Sequence, residues 1–213
     1  MVSINNLLLC TFHRVLDFLF PPPKELSDFL NLTPEQLAKL HVIQKNHDGT
    51  TQSLFLYKEP IIRASIHAFK YKRNMQITQR YAHSLARFLV QQPANDSKQY
   101  LLLPIPASKH RRDTYGFNQC ALLCEAMIPF LDTRFLYRSN ILHRHEGSVS
   151  QTKLRRTERH SNVKDVFEVS ASLHNKHVII IDDVWTTGAT INNARLALLE
   201  SGAQSVVAFT IAH

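Results

Sequence analysis

The stretch of this 213-residue chain best suited to chemistry is Val178-Ile179-Ile180-Ile181-Asp182-Asp183-Val184-Trp185-Thr186-Thr187-Gly188-Ala189-Thr190. Four β-branched residues run into two adjacent acids, and a hydroxyl-rich turn with one glycine follows. Such an apolar run reads as a central strand covered on both faces. It would deliver Asp182 and Asp183 at its C-terminal end, where open α/β sheets bind ligands. A turn that leads into a helix aims backbone N–H groups at one point and adds the positive end of the helix dipole. Thr186, Thr187 and Thr190 contribute hydroxyl donors. The guest these features predict is a phosphate monoester. Carboxylates facing it would repel it, so Asp182 and Asp183 are expected to face sugar hydroxyls, and the two demands together describe a ribose 5-phosphate. The structural alternative is that the acids cap the following turn, a role that two acids in a row after so apolar a strand fit poorly.

The elements that must position these residues are legible around them. Residues 190–201 have a helical pattern that Gly202 ends, and residues 205–211 read as a last strand. Upstream, residues 100–103 form a short apolar strand closed by Pro104-Ile105-Pro106, and one helix is expected through Phe117, Ala121, Cys124 and Ile128. Residues 143–162 are polar and basic without hydrophobic periodicity, which predicts a long loop. Strand–helix–strand alternation means a parallel sheet. The expected fold class is therefore α/β, with a mainly parallel sheet of about five strands flanked by helices.

The N-terminal part is patterned differently. Ile4, Leu8, Phe12, Val15, Leu16 and Leu19 share one helical face, and Pro21-Pro22-Pro23 stops that helix. Thr33-Pro34-Glu35-Gln36 has the form of a capping box that opens a short helix. A strand is expected at 53–57, a helix or strand through 61–69, and a helix from Thr78 that ends before Pro93. These patterns divide the chain into an N-terminal helical hood, residues 1–52, and a main domain, residues 53–213.

Composition narrows the function classes. Apolar residues make up 44% and charged residues 20%, which excludes a disordered chain. The 25 Lys and Arg against 17 Asp and Glu leave a net charge of +8, a balance that suits polyanions. Cys10, Cys120 and Cys124 are too few for a disulfide framework or a four-thiolate zinc site, which points to a reducing compartment. No apolar run reaches the length of a membrane span. The apolar start, residues 4–20, carries His13, Arg14 and Asp17 and lacks the basic leader of a secretory signal. A cytoplasmic setting without membrane insertion is expected. Residues 109–159 hold ten Lys and Arg against five Asp and Glu. Three readings of that charge stay open: stabilising a departing pyrophosphate, tracking a nucleic-acid backbone, or a solvated loop with no ligand. Tyr115, Phe117 and Trp185 nearby could stack bases or simply pack.

Residues 178–190 resemble the 5-phosphoribosyl-1-pyrophosphate (PRPP) motif of type I phosphoribosyltransferases: four apolar residues, two acids, two more residues, then Thr-Thr-Gly-x-Thr. A second set of segments is similar to the competence-associated ComF/GntX branch of that superfamily. It comprises Lys70-Tyr71-Lys72, Pro104-Ile105-Pro106 ahead of Lys109, Arg111 and Arg112, and Tyr115-Gly116-Phe117-Asn118-Gln119. Gln151-Thr152-Lys153-Leu154, with Arg159, Asn162 and Phe167, completes the set. The resemblance covers about residues 54–213.

The resemblance implies a type I phosphoribosyltransferase-like fold in which Asp182 and Asp183 hold the ribose hydroxyls. Thr186, Thr187, Gly188, Ala189 and Thr190 would cradle the 5-phosphate, and residues 106–109, with Ser108 and Lys109, would contact the pyrophosphate. The basic segment 143–162 would close over the site. Lys109, Arg155 and Arg159 are the catalytic candidates it implies, and Arg111, Arg112, Lys153, Arg155 and Arg156 the candidates for pyrophosphate or DNA contacts. Mg²⁺ is implied as the companion of PRPP, carried mainly by the ligand's oxygens rather than by a protein cage.

Two departures bear on the expectation. Thr186 stands where purine-salvage members carry an Asp, which argues against that activity. The four-cysteine zinc ribbon common at the N-terminus of this branch is reduced to Cys10. Cys10, His13, His41 and His47 fit no compact zinc pattern, so no zinc is expected. The implied function is a protein that binds PRPP or a related ribose phosphate with Mg²⁺ and handles single-stranded DNA during natural transformation, with DNA-uptake proteins as partners. The alternative is an active phosphoribosyltransferase that moves ribose 5-phosphate from PRPP to an unidentified nucleobase or amine.

Overall fold

The computed structural model describes residues 23–47, 49–92, 98–145 and 166–213. The expected helix within residues 4–20, with Cys10 and His13, lies outside the described residues, as do Lys153, Arg155, Arg156 and Arg159. In chain order the elements are α1 (Lys24–Asn31), α2 (Pro34–Lys39), β1 (Gln44–Lys45), β2 (Thr51–Phe55), α3 (Pro60–Lys72) and α4 (Met75–Gln91). There follow β3 (Tyr100–Pro104), α5 (Lys109–Tyr115), α6 (Gln119–Met127), a 3₁₀ turn (Ile128–Phe130) and β4 (Phe135–Tyr137). The last elements are β5 (Leu142–Arg144), β6 (Phe167–Val169), β7 (His177–Val184), α7 (Ala189–Glu200) and β8 (Ser205–Ala212).

The expected α/β fold is present. Five strands run parallel in the order β2-β8-β7-β3-β4, and the two-residue β1 pairs antiparallel on the outer edge of β2. Along β7, Val178 and Ile180 enter one apolar cluster while Ile179 and Ile181 enter the other, so both faces of the sheet are covered. Helices α1, α3, α4 and α6 fill the first side, and α7 with the β5–β6 hairpin fills the second. The expected boundary at 52/53 falls inside β2, and Leu26, Phe29 and Leu37 of the first two helices share the cluster of Leu54 and Phe55. Tyr81 lies at the centre of that cluster, with its ring 5.2 Å from Phe29, 5.7 Å from Phe55 and 6.0 Å from Phe69.

Local chemistry explains where the elements begin and break. The capping box at Thr33 forms as expected, each side chain of the Thr33–Gln36 pair taking the other's backbone N–H. α4 starts at Met75 rather than Thr78 because the Asn74 side chain accepts the Ile77 N–H. The helix expected through residues 117–128 is α6, Gln119–Met127, and a separate short helix that the pattern did not show, α5, precedes it. Gly116, at φ +73°, ends α5, and Asn118 caps α6 by accepting the Cys120 N–H. α5 has no buried residue and hence no hydrophobic period to read, though Ser108 caps it by accepting the Arg111 N–H. The start of the expected loop at 143 is also revised, since Leu142–Arg144 pair antiparallel with Phe167–Val169.

If the N-terminal helices and the sheet form one cooperative core, Phe29→Ala destabilises the whole chain. The loss expected is about 3–5 kcal/mol. Urea unfolding followed by far-UV circular dichroism and by the emission of Trp185, the single tryptophan, should give coincident transitions for wild type and variant. Separate midpoints would show two units instead.

Candidate functional site

The site lies at the C-terminal ends of β3 and β7. Pairing with β3 ends at Ile181 while pairing with β8 carries β7 on to Val184, which brings Asp182 and Asp183 to the rim still buried, at 9% and 5% exposure. Burying two adjacent carboxylates is costly unless each is compensated. The Oδ1 of Asp183 meets Lys70 Nζ of α3 at 3.1 Å. Its Oδ2 accepts from Gln119 Nε2 of α6 at 3.0 Å and from Arg111 Nη1 of α5 at 3.4 Å. Among the described residues Asp182 has no such cation; its Oδ1 accepts the Asp183 N–H at 2.8 Å and the Cys120 thiol at 3.5 Å. Burial, and then the charge of Asp183, push Asp182 up to about 7. Burial and the same two carboxylates push the Cys120 thiol well above its ordinary value, so it stays a thiol.

Beyond the acids the chain turns sharply into α7. Gly188 adopts φ +77° as the residue before that helix, and the Thr187 hydroxyl accepts the Ala189 N–H at 3.4 Å. Thr186, Thr187 and Ala189 are exposed and Thr190 is half-buried, so the hydroxyls and the first amides of α7 surround an open cradle. A Cβ on Gly188 would sit 3.0 Å from Trp185 Nε1. Trp185 is half-buried, with its ring 4.2 Å from that of His213, and its backbone N–H donates to the Ala212 carbonyl.

The loop after β3 is held from both sides. Asn118 Nδ2 donates to the Ile105 carbonyl at 3.0 Å, and Arg112 Nη1 donates to that of Ala107 at 2.6 Å. Next to this loop opens a cavity of about 360 Å³, walled by Pro106, Ala107, Arg112, Asn118, His143 and Arg144 among others. Arg144 lies against the Phe167 ring at 5.5 Å. Burial lowers its pKa, the nearby Asp182 opposes that shift, and Arg111 and Arg112 add to it. Arg111, Arg112 and Asp182 thus all lie near enough to Arg144 for it to feel their charge.

Cys120, Asp182 and Asp183 offer ligand atoms that all lie within 4.8 Å of one another. The set does not suit Mg²⁺, which prefers oxygen ligands and retained water. One member is a protonated thiol, and Lys70 and Arg111 already neutralise Asp183.

Comparison with known proteins identifies relatives. The chain is 30% identical over 162 residues to the "Competence protein ComFC" of Bacillus subtilis, covering 75% of this chain and 62% of that protein. It is 30% identical over 153 residues to the "DNA utilization protein YhgH" of Escherichia coli O6:H1, covering 69% and 65%. Against the ComFC of Streptococcus pneumoniae the identity is 36% over 115 residues, 54% of this chain and 48% of that one. The chain is a homologue of the ComFC and YhgH proteins. The match spans less than two thirds of the length of each of these three relatives. No family model matches. Among solved structures, a hypoxanthine phosphoribosyltransferase from Staphylococcus aureus aligns with a TM-score of 0.41 at 18% identity, covering 62% of this chain and 61% of that one.

Placed against the ComF-type expectation, the predicted residues fall into three groups. Asp182 and Asp183 lie at the strand end with Arg111 on Asp183, Arg112 lines the adjoining cavity, and residues 186–190 form the turn and the first residues of α7. Ser108 acts as the cap of α5 and Lys109 as its first residue. Lys153, Arg155, Arg156 and Arg159 lie outside the described residues. The carboxylates assigned to a sugar diol are here engaged by the chain's own side chains, so a diol must share or displace them. Lys70, Gln119, Cys120 and Arg144 are partners that spacing around the acids did not assign. The signal available was charge balance, because two buried carboxylates require cations from elsewhere.

Two measurements check this geometry. Gly188→Ala should cost about 1–3 kcal/mol through the left-handed backbone, and its Cβ should displace the indole and shift Trp185 emission; an unshifted spectrum would contradict the close approach. Between about pH 4 and 7 the folded chain keeps a proton on Asp182 that the unfolded chain, with an ordinary value of 3.8, has lost. Stability therefore falls as pH rises through that window. Asp182→Asn removes this fall while its amide oxygen still accepts both donors, so the variant gains on wild type across the window. Melting curves that stay parallel at every pH would refute the assignment.

Proposed function

We propose that this chain is a ComF-type phosphoribosyltransferase-fold protein that binds PRPP or a related ribose phosphate with Mg²⁺ and handles single-stranded DNA during natural transformation. The observation that carries the reading is the rim of β7: two buried acids, a glycine turn at φ +77° and the start of α7, in unbroken succession. In this reading the Thr186–Thr190 segment receives the 5-phosphate on hydroxyls and helix-end amides. The ribose hydroxyls donate to Asp183, taking a share of its oxygens from Lys70 and Arg111. Arg111, Arg112 and Arg144 balance the charge of the pyrophosphate, for which the 360 Å³ cavity is the available volume. In this reading Mg²⁺ would be carried on the ligand's own oxygens, as suits an ion that keeps several waters and takes few protein ligands.

The DNA-handling role draws on the names of the relatives, one a competence protein and one a DNA utilization protein. DNA-uptake proteins and a cytoplasmic setting belong to the same proposal. Among the described residues no helix is long and apolar enough to cross a membrane.

A second reading, active phosphoribosyl transfer, is favoured by the guanidinium-lined cavity. There the bond from ribose C1 to the pyrophosphate oxygen breaks and its electron pair leaves with pyrophosphate. A nucleophile then captures the oxocarbenium-like carbon, and the arginines stabilise the departing charge. Pyrophosphate release from PRPP across common nucleobases and amines tests this reading, and none above background removes it.

Calorimetric titration with PRPP and Mg²⁺ tests the primary reading. Wild type should bind, and the folded double variant Asp182→Asn, Asp183→Asn should bind at least about tenfold more weakly, as expected when charge-assisted hydrogen bonds become neutral ones. Equal affinity for the two proteins, or no binding by wild type, overturns the sugar assignment.

A further inference from the structure

The α3 helix ends in Lys70-Tyr71-Lys72 and α5 begins Lys109-His110-Arg111-Arg112; Lys70 and Arg111 bring these ends together on Asp183. Beside that junction lies a group of rings that ribose phosphate binding does not use. The Tyr71 ring is 5.2 Å from that of Tyr115, inclined at 49°, and 4.7 Å from that of His67. Arg73, next in the chain after α3, sits 5.9 Å over the Phe117 ring. Tyr71 is 37% exposed; His67, Lys72 and Arg73 are exposed, and Tyr115 and Phe117 are half-buried. α3 contains no acid and α5 contains one, Asp113.

Core packing does not explain tyrosines that open to solvent among cations. An acidic protein surface would engage the cations and leave the rings without a role. A DNA duplex hides the faces of its bases. A single strand presents both chemistries at once, with base faces to lie on rings and a phosphate per nucleotide for each nearby cation. We infer that the ridge formed by the end of α3 and by α5 binds single-stranded DNA, Tyr71 and Tyr115 stacking bases and Lys72 and Arg73 meeting backbone phosphates. The inference rests on the DNA-handling part of the proposed function and adds where the strand lies: on α3 and α5, next to the acid pair.

Fluorescence anisotropy with labelled oligo(dT), measured over a series of salt concentrations, tests it in the full chain. Tyr71→Ala with Tyr115→Ala should weaken binding about tenfold or more, while Tyr71→Phe with Tyr115→Phe stays within about twofold of wild type, because stacking needs the ring and not the hydroxyl. Lys72→Ala with Arg73→Ala should flatten the dependence of log affinity on log salt by about 1.4, roughly 0.7 for each lost phosphate contact on a single strand. The exposed pair Lys72 and Arg73 keeps the test open should the tyrosine-to-alanine variant fail to fold. Wild-type binding that neither pair of substitutions alters overturns the ridge and leaves DNA handling standing. Equal affinity for duplex and single strand overturns the stacking assignment. A wild type that binds no oligonucleotide at low salt overturns both the ridge and the DNA-handling proposal, while PRPP titration reports separately on the sugar site.

Discussion

Two carboxylates buried side by side at the end of a central strand dictate much of what surrounds them. Each needs compensation, and the two obtain it differently. Asp183 draws Lys70, Arg111 and Gln119 from three separate helices. Among the described residues Asp182 has a backbone amide and a thiol, and responds by holding its proton to about pH 7. Apolar residues of the same volume would serve stability at least as well. The acid pair therefore makes sense as a site, and the convergence of α3, α5 and α6 on β7 is its structural consequence.

Much of this frame could be read from local patterns. The Val178–Ile181 run, the paired acids, the lone glycine and the helix after it are contiguous, so one strand–turn–helix unit states its own geometry. Capping chemistry is equally local, which is why the Thr33 box was recoverable. The Asn74 cap shows the limit of such reading: one polar side chain moved the start of α4 to Met75 without disturbing its apolar face. α5 had no apolar face to disclose it, and the β5–β6 hairpin joins two three-residue strands that are distant in the chain.

The partners of the acids were hidden for a different reason. Lys70 lies in a helix far upstream, and its role follows only from where α3 ends relative to β7. Sequence supplies the demand, two negative charges in an apolar setting, but not the address of the cations that meet it. Arg144 is a similar case. Counted as one charge in a basic segment, it proves to be a strand residue pressed on Phe167 with Arg111 and Arg112 beside it. A chain-wide excess of cations is diffuse, whereas two guanidinium groups on the wall of one cavity, those of Arg112 and Arg144, constitute a field with a direction.

Asp183 also joins two surfaces that would otherwise be independent. The cations it holds sit on the same two helices that carry Tyr71 and Tyr115. In the proposed reading, a sugar diol that takes over its oxygens would loosen Lys70 and Arg111, and both would then add to the positive field of the ridge. A polyanion on the ridge attracts those cations in turn and leaves the carboxylate more available to hydroxyls. Equilibrium linkage requires the two effects to be equal. The sign of the coupling depends on a competing term, because the ligand brings phosphates that repel a strand close by. At low ionic strength that repulsion acts across the short distance between the sites, and at physiological salt the Debye length of about 8 Å confines it. The contact-mediated release of Lys70 and Arg111 is not screened in this way, since the pairs are partly buried. Positive coupling should therefore emerge as salt is raised, which separates a mechanical connection through Asp183 from simple charge crowding.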